Sequence, residues 1–343
     1  MKRWFSHALC STAVVLGALS VTGCGNVIFQ GVENFQVPFF LEEPDADVAC
    51  TNATAFKPFV TSLKFLGGDP SLLNSLMLFQ SSQCSFARAS EQELRYIRAQ
   101  RERRTDEAID ARNEQKHWME ITTEREYRAY EDMRVKLEHK YFFKYGETCP
   151  HAMRRDFDQM VYLFGTLAGL QAMEHDMSIQ QVVGVPTDIA GKANFALSCL
   201  SEGDNIRLWG VPEATRAAIW SLLPGAGEGK DIKGAFDHAM KIGEAQGVRL
   251  AHVVAAQTAV SLDDNDQLRK ILRRFANTKG FKPSKDYRAI DDASVAQMQI
   301  ISDRYWTQHT GSRTPLGSLG KFWDDNTGPA GGASAPDVDQ FLN

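Results

Sequence analysis

Apolar residues recur at helical spacing through most of this chain, and nowhere do they alternate with the period of a strand over a useful length. The pattern is cleanest over 229–276, which reads as three amphipathic helices separated by two short breaks. Asp231 is placed to cap the first, whose apolar face carries Phe236, Ala239 and Met240. Gly247 supplies the permissive backbone of a helix stop. A second helix follows with Leu250, Val253, Val254 and Ala259 as its stripe. The run Asp263-Asp264-Asn265-Asp266 ends it and caps a third, marked by Leu268, Ile271, Leu272 and Phe275. Ala239, Ala251, Ala255 and Ala256 allow neighbouring helices to approach closely. Phe236 with Ala239 three residues later matches half of a tetratricopeptide-type repeat. The expected fold is all-α: stacked helical hairpins in a tetratricopeptide-like α-solenoid.

The rest of the chain extends that reading. A helix is expected over 54–67, stopped by Gly67-Gly68, and another starts at Asp69-Pro70. Leu72, Leu73, Leu76, Met77 and Phe79 make the latter apolar over much of its circumference, so it should be central. From Ser71 to Tyr145 there is neither Gly nor Pro, and one helix of that length would exceed roughly 100 Å. Almost nothing between 98 and 117 is apolar. The pattern therefore predicts two long charged helices that project from the body and meet at a solvated bend within 98–117, with partner docking as the functional alternative for 91–144. Further helices are expected over 150–176, 188–200, 213–223 and 292–307. Gly165 and Gly169, four apart in the first of these, mark a place for a tightly packed neighbour. Residues 25–53, with Phe35, Phe39 and Phe40, read as a tether that lays its aromatics on a helical body at 54–310. A Gly/Ser/Pro-rich tail from 311 to 343 reads as flexible.

The first 23 residues change the picture. Lys2 and Arg3 precede an apolar run, Ala8 to Leu19, too short to span a bilayer comfortably. The run ends in Leu19-Ser20-Val21-Thr22-Gly23-Cys24, which resembles a bacterial lipobox. That resemblance implies a signal peptide over 1–23, cleavage before Cys24 and lipidation of its thiol and amine. Gly25, where an Asp would signal retention, implies an outer-membrane anchor facing the periplasm. Cys50, Cys84, Cys149 and Cys199 then remain, an even set in an oxidising compartment, with three connectivities and at least one disulfide expected. A net charge of −5 over 343 residues leaves no basic footprint for nucleic acid.

Candidate chemistry is sparse. Pro224 to Asp231 has the glycines of a phosphate loop, but Pro224 replaces its first glycine and Asp231 its Ser/Thr. Glu174-His175-Asp176 are adjacent on a helix, so they point in different directions and make a polar helix end. His238 and His252 flank the stop at Gly247 without completing a metal site. No nucleophile motif is present. The expectation is a protein that is not an enzyme and needs no cofactor or metal.

The organising block also resembles a known family. Ala-Phe-x-x-Ala-Met-x-Ile (235–242), Gly247, Leu-Ala-x-Val-x-Ala-x-x-x-Ala-Val (250–260), Asp264 and Leu-x-x-Ile-Leu (268–272) are similar to the T-component lipoprotein of tripartite ATP-independent periplasmic (TRAP) transporters. Weaker echoes lie in 62–73 and 293–306. The chain departs from the family's pattern at Ile232, where a small residue is usual, and in the charge density of 91–146. The resemblance implies an accessory role beside a periplasmic solute-binding protein and a hydrophobic small molecule as ligand, with homo-oligomerisation left open. The aromatic surplus is mostly core, and a stacked-hairpin body can also enclose an apolar cavity. Tyr162, Phe164, Trp209, Trp220, Phe236 and Val254 are the candidate lining. The competing reading is an envelope scaffold lipoprotein with helical repeats and no ligand.

Overall fold

The structure, a computed structural model, describes Phe29, residues 31–33 and residues 37–325. The fold is all-α, with no strand among the described residues. In chain order the helices are α1 (Val37–Glu42), α2 (Ala46–Ser62), α3 (Ser71–Arg101), α4 (Thr105–Tyr141), α5 (Asp156–Ser178) and α6 (Ile189–Ser198). There follow α7 (Glu202–Arg207), α8 (Val211–Leu222), α9 (Ile232–Gln246), α10 (Leu250–Ser261), α11 (Asn265–Ala276) and α12 (Arg288–Thr310).

The long hairpin α3–α4 turns at 102–104, inside the expected window, with Arg103 taking a positive φ of 58°. Its two helices meet through small side chains. Ala89, Ala99, Ala111 and Ala129 are fully buried, and hydroxyls replace hydrocarbon elsewhere along the seam. Ser75 Oγ donates to the Ala129 carbonyl (2.7 Å), and Thr122 Oγ1 bonds Ser85 Oγ (2.9 Å). Such a seam satisfies its polar groups internally and lets the backbones close without large residues. The bend is exposed, as expected, while the arm beside it is tied to the end of α12. Arg98 Nε donates to the Gly311 carbonyl (3.2 Å) and an Arg101 guanidinium nitrogen to the Gln308 carbonyl (3.0 Å). These are carbonyls at the end of α12, unpaired within the helix and partly negative, where cations bind favourably.

α5 is buried along most of its length and sits against α4 at its two glycines. A Cβ at Gly165 would stand 2.6 Å from the Met133 side chain, and one at Gly169 would stand 2.6 Å from the Tyr130 ring. The four-residue spacing thus marks the closest helix contact in this region.

The 229–276 block folds as its spacing predicts. Asp231 accepts from the Gly234 N–H (2.9 Å) and Asp264 from the Gln267 N–H (2.9 Å), while Gly247 caps α9 at φ 77°. Ala239 is fully buried because α9 crosses Gly210, where an added Cβ would meet the Ala239 carbonyl oxygen at 2.3 Å. Phe236 is only half-buried, at the edge of this core. Glu244 gathers His252 (3.0 Å) and Arg274 (2.7 Å), tying α9, α10 and α11 together. Burial opposes its ionisation, yet those hydrogen bonds hold the carboxyl down to about 2. Arg249 at the head of α10 makes a two-pronged pair with the buried Asp291 of α12 (3.0 and 2.7 Å) and lies over the rings of Phe275 and Phe281.

Two boundaries shift. The body begins before 54, since α1 and α2 occupy much of the expected tether, and Pro58 is accommodated inside α2. Residues 311–325 belong to the body: Phe322 is buried, and Arg269 pairs with Asp324 while stacking on Phe322. Both remaining cysteine pairs are bonded, Cys50–Cys84 joining α2 to α3 and Cys149–Cys199 joining the loop before α5 to the end of α6.

Two outcomes test this packing. Replacing glycine by alanine inside a free helix stabilises it by about 0.8–1 kcal/mol, but here the new methyl overpacks Met133 at a cost of about 1–3 kcal/mol. Gly165→Ala should therefore lower the urea midpoint, and an increase would show that α5 does not press on α4. Thiol counting on denatured, unreduced protein should find Cys50, Cys84, Cys149 and Cys199 unreactive. Loop closures spanning 34 and 50 residues each contribute roughly 4 kcal/mol in the chain-entropy picture, so reduction should lower stability markedly.

Candidate ligand chamber

Where α1, α2, α3, α5, α8, α10 and α12 converge, they leave a partly open chamber of about 400 Å³. This lies within the range of roughly 300–1,000 Å³ typical of small-molecule sites. Its walls are mostly hydrocarbon. α3 contributes Leu76 and Phe79, α5 Phe164 and Leu167, α8 Ala218 and Ile219, α10 Val253 and Val254. Leu76 with Phe79 and Phe164 with Leu167 are three residues apart, so each of these pairs lies on one face of its helix. Phe79 and Phe164 stack at 5.4 Å across one corner.

A second space of about 380 Å³ adjoins the chamber and is lined by charged side chains together with apolar ones such as Phe86, Met119 and Ile301. Gln171, Glu174, Gln257, Ser261 and Gln297 border both. Beyond them lie Glu93 from α3, Arg112 and Lys116 from α4, His175 from α5 and Arg304 from α12. Gln297 Nε2 donates to Gln83 Oε1 across the junction (2.7 Å). Glu174, His175 and Asp176 diverge, as adjacent helical residues must. Glu174 accepts from Ser261 Oγ (3.2 Å), and Asp176 is buried where it accepts the Val183 and Val185 N–H groups (2.9 and 2.7 Å). His175 Nδ1 lies 2.8 Å from the buried Glu126 and its ring stacks on Phe86 at 5.2 Å.

That pair was not foreseen, although a signal exists. Met119, Thr122, Glu126, Ala129 and Met133 share the buried face of α4, so Glu126 is a lone carboxylate on a packing stripe. Burial raises the Glu126 carboxyl above its ordinary range, against the pull of His175. Burial also works against the His175 charge, but the facing Glu126 outweighs it and holds the imidazole above its ordinary 6.5.

Of the six residues expected to line a cavity, Phe164 and Val254 do so. The other four lie elsewhere. Tyr162 is fully buried on another face of α5 and donates to the Ala196 carbonyl (3.0 Å). Trp209 is core, packed between Phe164 and Tyr287. Trp220 donates to Asn194 (3.1 Å) under Arg216 and Lys230, and Phe236 sits at the core's edge. His238 and His252 pair separately, with Glu213 and Glu244. Cys24 lies outside the described residues. Among those described, no group of three His, Cys, Asp or Glu side chains is arranged to hold a metal, and no helix is long and apolar enough to cross a membrane. Comparison with protein-family models, curated proteins and solved structures returns no match.

The Glu126–His175 pair generates a pH dependence. Both groups hold their proton more tightly folded than unfolded. Their contribution is therefore complete at low pH and is lost as pH rises, for His175 from about 6.5 upward. The lowered carboxyls of Asp69 and Glu244 act only at acid pH. The buried His252, held below 6.5, acts in the opposite sense and mainly under pH 6.5, so the urea midpoint should fall as pH rises above about 6.5, and Glu126→Gln/His175→Gln should reduce that slope. A midpoint that stays flat above pH 6.5 in the native protein would contradict the raised imidazole of His175.

Proposed function

We propose that this chain is an outer-membrane-anchored periplasmic lipoprotein that holds an apolar small molecule, as an accessory of a TRAP-type transport system beside a periplasmic solute-binding protein. The observation that carries the ligand is the chamber, a cleft of ligand size whose walls are hydrocarbon. Water gains little from such a space, whereas an apolar guest removes area from solvent at about 25 cal/mol per Å². One wall of the chamber is α10, which lies inside the stretch that resembles the T-component lipoproteins. Two disulfides suit an oxidising compartment, in keeping with the lipobox at Cys24. In this reading the helical hairpins form the solenoid scaffold and the chamber's amide and hydrocarbon lining binds its guest without transforming it. Membrane attachment belongs to the acyl chains, and Cys24→Ser should move the protein into the soluble periplasmic fraction.

Binding is tested with a neutral apolar dye, N-phenyl-1-naphthylamine, on the full chain carrying Cys24→Ser so that no detergent is needed. Saturable binding is expected, and Ala218→Trp, which places an indole in the chamber from a half-buried position, should weaken it at least about tenfold. Equal binding by the native and blocked proteins would sink the chamber as the site. No binding at all would leave the scaffold reading. Adjacent genes for a solute-binding protein and a permease would support the transport assignment.

A further inference from the structure

We infer that the site takes an amphiphile with an anionic head, its tail in the chamber and its head among the charged groups of the adjoining space; this rests on the chamber being a ligand site. Polar and charged groups enter the lining toward the second space on four of the converging helices. α3 runs from Leu76 and Phe79 through Gln83 to Glu93, and α5 from Leu167 through Gln171 to His175. α10 runs from Val254 through Gln257 to Ser261, and α12 from Ala293 through Gln297 to Arg304. Each helix places an amide beyond its chamber hydrocarbon and a hydroxyl or ionisable group farther on, with apolar neighbours such as Phe86, Val260 and Ile301 among them. A guest that is hydrocarbon throughout matches only the first tier. The Gln171 amide makes no hydrogen bond among the described residues, and its Oε1 is covered, so the junction holds an unused polar group.

The sign of the head follows from the charges facing this space. Arg304 is 3.1 Å from Glu93, so those two compensate each other. His175 is engaged with Glu126, and Glu174 accepts from Ser261. Arg112 and Lys116 are four residues apart on α4 and so share a face. Arg112 donates to the neutral amide of Gln115 (2.5 Å) and lies over the Tyr96 ring, and Lys116 has no ion pair among the described residues. Two cations thus remain without carboxylate partners against one uncompensated carboxylate. A carboxylate, sulfate or phosphate head completes them, whereas a cationic head meets like charge in a partly enclosed space.

The test uses the full chain carrying Cys24→Ser, with dodecanoate, dodecan-1-ol and dodecyltrimethylammonium competing against N-phenyl-1-naphthylamine below their micellar concentrations. Dodecanoate should bind about tenfold more tightly than the alcohol, since hydrogen bonds to a charged group carry most of that difference. The ammonium should bind most weakly. Arg112→Gln/Lys116→Gln should weaken dodecanoate about tenfold and leave the alcohol within about twofold, and Lys116→Arg on the Arg112→Gln background should restore part of the loss. The same order of affinities in the native and double-variant proteins would overturn the assigned head, as would a variant that loses carboxylate and alcohol alike. Dye binding with no preference among the three would leave the apolar site and remove only this inference. Failure of the dye and all three amphiphiles to bind would remove both.

Discussion

The close approach of α5 to α4 at Gly165 and Gly169 sets the position of everything around the chamber. Successive residues of a helix are turned by about 100°, so Phe164, Leu167, Gln171 and Glu174 lie roughly opposite the two glycines. One side of α5 is pressed on Met133 and Tyr130 with no side chain between, and the other side becomes the chamber wall. A β-carbon on the glycine face would move the wall toward the space it borders. The same geometry explains Tyr162. It falls closer to the glycine face than to the chamber face, and it is buried among Phe143 and Tyr145 with its hydroxyl on the Ala196 carbonyl.

Much of the helical block at 229–276 could be read from the chain because its signals are local. Asp231, Gly247 and Asp264 act within one turn of themselves, and the stripe Leu268, Ile271, Leu272 and Phe275 is buried as a face. The lining was less legible because large aromatics were weighted as cavity walls. Tyr and Trp carry a polar group that needs a partner, which favours the interior of a satisfied core. Trp220 and Tyr162 both found such partners, while the chamber itself is lined by ordinary aliphatics such as Leu76 and Leu167. Nothing in an aliphatic stripe separates a packed neighbour from an empty one. That difference is made by tertiary spacing alone.

The charged hairpin is legible at its bend, which is exposed as expected, and not along its arms. Hydrophobic periodicity counts hydrocarbon, and the seam between the arms is built from alanine, serine and threonine. Small residues carry little apolar signal but permit close backbones, and their hydroxyls bond carbonyls across the interface. The charges then serve position more than solvation. Arg95 at the far end of α3 faces Glu107 and Asp110 of α4, and Arg98 and Arg101 hold the end of α12. Exposed pairs of this kind contribute little individually to stability. Their consequence here is geometric: the Arg95 pairs close the hairpin on itself, Arg98 and Arg101 hold it on α12, and Arg112, Lys116 and Arg304 border one space.

A chamber of this size is a demand on the fold as well as a candidate site. If it were dry and closed, about 24 cal/mol per Å³ over about 400 Å³ would amount to roughly 10 kcal/mol, comparable to the whole stability of a domain. Its partial opening relieves that cost by admitting water, but the apolar walls still favour collapse onto one another. What resists collapse is the way each wall is tied outside the chamber. Cys50–Cys84 bonds α2 to α3, the glycine contact holds α5 on α4, and the Arg249–Asp291 pair locks the head of α10 to α12. Covalent, steric and ionic ties thus act on different walls, and none of them occupies the space between. An apolar guest would satisfy the same walls without moving them, which is why a space held open by its frame is better suited to binding than one that must be opened by its ligand.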